Sequence, residues 1–260
     1  MPIFLEPVLQ ACRDIYDLAG TMQRYWAYVD LMTKARGEFL PLGAFSPMGK
    51  RQAEYLDGLI ALDAESHAAQ IAEQAMLELG SKRTYRMALV VIDEPRNGWT
   101  QRHLSDADWR FVSPTEIHTN TPRIFCDAWL TVQLWTTTFF GETQAPTLEY
   151  LRQETRAAVA RAEYQQQHPN PKSLVHMLHQ EGTVLRFSGE YIAISNDDLE
   201  YSRAVLEPLL ECQHYPTNFA ALYGDEAAKS VGYPALGLSA RAGFGVAQKW
   251  FSGDLENKVF

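Results

Sequence analysis

"TVLRFSGEYIAIS", residues 183–195, decides how this chain is to be folded. Two short apolar runs flank Ser188-Gly189, and that pair can supply the two positive φ values of a tight hairpin turn. Read this way, Thr183–Ser195 is a strand pair, and Gly182 ends the helix before it. Upstream, "YRMALVVID" (85–93) is short and apolar on both faces, as a buried strand is. "CDAWLTVQLWTTT" (126–138) alternates. Ala128, Leu130, Val132 and Leu134 share one face, and Trp129, Thr131, Gln133 and Trp135 the other. These segments make about four strands in a small, mainly antiparallel sheet.

The flanking sequence has a different period. Val8, Cys12, Ile15, Ala19, Met22, Trp26 and Val29 recur in steps of four and three, the stripe of an amphipathic helix. Tyr55, Leu56, Leu59, Ile60, Ala64, Ala68, Ile71, Ala75, Met76 and Leu79 form a second stripe, closed by Gly80 past its C-terminus. "RGEFLPLGAFSPMGK" between them is loop by its Gly and Pro content. Two long stripes joined by a turn predict an antiparallel helical hairpin over 6–80. Further helices are expected over 146–181 and 197–252, with Pro208 bending the second. The sheet-forming regions are 84–140 and 183–195. No linker divides the chain, so the expectation is one α+β domain over 1–260, its C-terminal helices packed on the sheet.

Acids outnumber bases 32 to 23, giving a net charge of −9. This argues against general binding to a nucleic-acid backbone, which depends on clustered Lys and Arg. The three cysteines are far apart, so no disulfide framework or Cys-rich zinc site is expected. No apolar run is long enough to span a membrane, and the N-terminus lacks the pattern of a signal peptide. A soluble, cytoplasmic protein is the plain expectation.

Three segments could carry chemistry. In "NPKSLVHMLHQEG" (170–182), His176 and His179 stand three apart on a helix, within reach of one divalent metal ion. Glu181 lies in what would be the last turn, where a carboxylate has the wrong sign for the helix dipole. The three could share acid–base work, with or without metal on His176 and His179. The loop "IDEPRNGWTQRH" (92–103) follows a buried strand and concentrates Asp93, Arg96, Trp99, Arg102 and His103. Arg96 and Arg102 could hold a carboxylate or phosphate with forked hydrogen bonds. Trp129 and Trp135, on one strand face, could wall a flat ligand.

The functional expectation is an enzyme acting on a small polar or anionic metabolite. The alternative is a ligand-binding or interaction module that dimerises through its helical hairpin, where Tyr16, Tyr25 and Tyr28 supply aromatic surface. A hydrolase using Cys126 is a third option. "AFSPMGKR" falls short of a phosphate loop, because Ala44 and Arg51 replace residues that motif requires.

Overall fold

The computed structural model describes residues 3–33, 50–92, 102–111, 129–139, 141–169 and 171–251. Helix accounts for 63% of the described residues. The strands form one three-stranded sheet in the order β1-β2-β3, with both pairings parallel. The expectation of a mainly antiparallel, four-stranded sheet is therefore wrong. The chain divides into two compact units, one of Met1–Thr100 and Pro114–Val159, the other of Gln101–Ser113 and Ala160–Phe260.

In the first unit, β1 (Ile3–Leu5) leads through α1 (Leu9–Ile15), α2 (Thr21–Thr33), α3 (Lys50–Ala61) and α4 (Ala64–Glu78) to β2 (Tyr85–Ile92). β3 (Trp129–Trp135) follows later in the chain. Parallel neighbours need a long crossover, and here the helices supply it between β1 and β2. β2 lies in the middle and is buried at all but one position, as a strand covered on both faces must be. On β3 the face expected to be open is largely covered. Trp135 and Thr131 are buried, and Trp129 and Gln133 half-buried.

Each long stripe is two helices. The first breaks at Tyr16–Gly20, where Arg24 reaches back to donate to the carbonyls of Tyr16 at 2.9 Å and Leu18 at 2.8 Å. The Tyr16 carbonyl stands at the C-cap of α1, where a guanidinium satisfies an acceptor that a helix end leaves open, and the Leu18 carbonyl belongs to the turn that follows. The second breaks at Asp63, which takes the left-handed conformation at φ 49°. Aspartate tolerates that region better than most residues. α4 then buries Ala64, Ala68, Ala72, Ala75 and Met76 on one face. Gly80, at φ 65°, ends it as its sequence position foretold: Ser81 N–H donates to Met76 O at 2.9 Å and Gly80 N–H to Leu77 O at 3.1 Å. The start of α1 is also closed, because a carboxylate oxygen of Glu65 accepts from the N–H groups of Val8 at 2.6 Å and Leu9 at 3.0 Å.

The second unit is helical. It contains α5 (Arg102–Phe111), the end of α6 (Leu148–Gln167), α7 (Leu174–Ser188), α8 (Asn196–Leu206), α9 (Tyr215–Tyr223), α10 (Asp225–Ser230) and α11 (Ala242–Trp250). The stretch expected to be a hairpin is the second half of α7. Its buried positions Leu174, Met177, Leu178, Glu181, Val184, Leu185 and Ser188 keep the helical period straight through Gly182. Gly182 is there for packing. A Cβ on it would lie 2.6 Å from Ala247 O and 2.7 Å from Phe251 C, so its bare backbone lets α11 approach. Gly189 at φ 78° ends the helix, and Ser195 caps the next one by accepting from Asp198 N–H at 3.1 Å. Pro208 does not bend α8. The helix stops at Leu206 and a single 3-10 turn, Glu207–Leu209, follows. Gly243 and Gly245 serve close approach, the first against the backbone of Ala221 and Leu222, the second against Ile194.

Candidate functional site

The chemistry-bearing residues of the second unit gather in its interior. α5 places Arg102, Asp106 and Arg110 at steps of four, so all three turn to one face, and all three are buried. Arg110 Nε donates to Asp106 Oδ2 at 2.7 Å, and its Nη1 donates to Glu181 Oε2 at 2.5 Å. Arg161, from α6, donates to the same carboxylate at 3.2 and 3.3 Å. Gln180 adds a bond to Glu181 Oε1 at 3.0 Å. The Tyr223 hydroxyl donates to Asp106 Oδ2 at 2.6 Å. Near the end of α5, the Arg110 carbonyl accepts from the amides of Gln165 and Gln180, each at 2.8 Å. Polar groups from four helices would be costly to bury singly, and here each anion meets cations and donors.

The electrostatics follow from that arrangement. Burial alone would push the Glu181 carboxyl up, but the charges of Arg161 and Arg110 and the hydrogen bonds from Arg161 and Gln180 bring it down to about 2. Asp106 behaves likewise: burial raises it, and Arg110, Tyr223 and Arg102 outweigh burial and lower it. Burial and the neighbouring Asp106 hold the Tyr223 hydroxyl protonated well above its ordinary range. Arg110 also lies 5.4 Å from the centre of the Phe244 ring, and Arg241 lies 5.2 Å from the same centre while bonding Glu190 at 2.7 Å. A guanidinium over a ring face is favourable beyond simple contact.

Glu181, expected in a last turn with the wrong sign for the dipole, is in mid-helix and fully buried. The histidines read alongside it have other surroundings. His176 is exposed, with Nδ1 3.0 Å from the Ser173 hydroxyl. His179 is half-buried against the Phe251 ring, with ring centres 4.8 Å apart. Burial, then the nearby His176 and His168, lower its pKa. Among the described residues no group of three or more His, Cys, Asp or Glu is disposed to hold a metal ion. His103 stands edge-on to Tyr223 at 5.8 Å, half-buried at the start of α5.

Trp129 and Trp135 belong to the first unit. The Arg86 guanidinium lies 4.4 Å from the centre of the Trp129 ring and bonds Glu6 at 2.9 Å. The Trp135 N–H donates to the Tyr150 hydroxyl at 3.3 Å. Asp93, Arg96, Trp99 and Cys126 lie outside the described residues. Sequence reading missed Asp106, Arg110, Arg161 and Tyr223. The spacing of Arg102, Asp106 and Arg110 was the available signal, since three charges on one helical face ask for a partner.

Among the described residues, four exposed large hydrophobic side chains fall close together in sequence on α2 and the turn before it. Leu18 is 36% exposed, Met22 62%, Tyr25 47% and Trp26 57%. On α2, Tyr25 and Trp26 follow Met22 at steps of three and four, so both neighbour it on one side of the helix, and Leu18 is in the turn before it. Of the three tyrosines considered for an interface, Tyr25 is in this group, while Tyr16 and Tyr28 are buried at 8% each. Among the described residues no helix is long and apolar enough to cross a membrane.

Comparison with protein-family models, with curated proteins and with solved structures finds no match to this chain.

Proposed function

We propose that this protein works as a self-associating module, with α2 pairing against α2 of a second copy. The ridge of Leu18, Met22, Tyr25 and Trp26 carries the reading, because large apolar side chains clustered in water on a helix and the turn before it mark interaction sites. The ridge complements itself. In an antiparallel two-fold pairing centred near Arg24, Met22 of one copy meets Trp26 of the other, and thioether–aromatic contacts are favourable. A membrane surface is a poorer match. Interfacial helices carry Lys and Arg on their polar face, whereas the exposed flank of α2 includes Asp30 and the chain carries a net −9. Sedimentation of the native protein is the test. A concentration-dependent dimer is expected, and a monomer up to the solubility limit ends the proposal. A cytoplasmic setting fits the free thiols of Cys12 and Cys212.

A second reading keeps an enzyme of small anionic metabolites. What favours it is His103, which borders the Tyr223–Asp106–Arg110 network beside Arg102. In this version His103 is the proton carrier. Glu181, at about 2, stays ionised near neutral pH and holds the arginines. Titration with inorganic phosphate, followed by the His103 ring resonances, tests it. An unmoved spectrum removes it.

A further inference from the structure

We propose that the first unit holds a structural water molecule in the gap where β1 leaves the edge of β2. β1 pairs with β2 only as far as Leu5 opposite Met87, where Glu6 N–H donates to Met87 O at 2.8 Å. On the other edge, Thr136 N–H donates to Ile92 O at 3.0 Å. Successive residues of a strand turn their backbone groups to opposite edges. Positions 85, 87, 89 and 91 therefore face the β1 side, and the even positions face β3. Leu89 and Val91 point their N–H groups toward the side that β1 has left.

Gln52 of α3 covers this place. Its Nε2 donates to Val91 O at 2.9 Å. That bond fixes the amide's orientation, because only the nitrogen can donate. Oε1 then turns away, is buried, and has no hydrogen-bond partner among the described residues, in a residue 1% exposed. Beside it is a cavity of about 10 Å³ lined by Leu9 and Cys12 of α1, Gln52 and Leu56 of α3, and Leu89, Val90 and Val91 of β2. The volume decides the occupant. One water needs about 10–15 Å³ in this measure. The water donates to Gln52 Oε1 and accepts from a β2 N–H, replacing the hydrogen bonds that a longer β1 would have made.

Water-to-amide NOE spectra of the full-length, ¹⁵N-labelled protein test this. Cross-peaks from long-lived water to the Leu89 or Val91 amide are expected. In Gln52→Met, which keeps the volume and removes the acceptor, they should disappear. Native protein without a water cross-peak at either amide overturns the proposal, as do cross-peaks that persist unchanged in Gln52→Met. If that variant fails to fold, the native spectrum alone decides.

Discussion

Helix α7 hides Glu181 with no exposed surface, whereas α2 sets Met22 and Trp26 more than half exposed. The two helices place charge and oil on unexpected sides, and they do so under different conditions. α7 can bury a carboxylate because α5 and α6 bring two guanidiniums to it. Nothing among the described residues plays that part for the ridge of α2. Burial of an ion is thus completed inside this chain, while the exposed apolar surface is what the proposed self-association would cover. A polar group in the interior is evidence about internal partners, whereas a single apolar group on the surface is ordinary and only a contiguous patch is informative.

The largest test of the contrast is Glu181→Ala. It leaves Arg110 and Arg161 buried around an empty position, and about 3–5 kcal/mol of stability should be lost, read as a lower urea midpoint. The pH dependence sharpens the same point. The Glu181 carboxyl is depressed in the folded state, so its contribution is fully present above its unfolded value near 4.5. It is lost as pH falls toward about 2. The loss over that window is about 3 kcal/mol. Acid unfolding followed by circular dichroism should show it, and Glu181→Gln should lack that share of the slope. Gly182→Ala comes next. Its methyl would strike the backbone of Ala247 and Phe251, which cannot move as a side chain can, and about 1–3 kcal/mol should be lost.

On the α2 side, Trp26→Lys should change stability within about 0.5 kcal/mol, since the ring is largely in water. It should weaken self-association at least tenfold by sedimentation. Each copy carries −9, so raising the salt should tighten the proposed dimer by screening that repulsion. A native dimer that Trp26→Lys leaves intact would separate self-association from this ridge.

What could be read from sequence was local. Gly80 stops α4 because a left-handed residue is needed there, and glycine supplies it. β2 declared itself by an unbroken apolar run, and that run was already the mark of a parallel, doubly covered strand. The hairpin reading of residues 183–195 overrode it. Ser188-Gly189 is equally the end of a helix, and only the stripe continuing through Gly182 separates the two meanings. The buried network was illegible for another reason. Its members come from α5, α6, α7 and α9, and sequence spacing shows three of them on α5 but cannot show Glu181 arriving opposite. His176 and His179 stood out by residue type, whereas the ion cluster was marked by geometry.

The Glu65 carboxylate at the start of α1 has a consequence for ligands. In many parallel-sheet proteins the first helix after a strand receives a phosphate on its free N–H groups. Here a tethered side chain already occupies the Val8 and Leu9 N–H groups. A nucleotide seeking that berth would have to evict an anion that cannot diffuse away, so this doorway is shut from within.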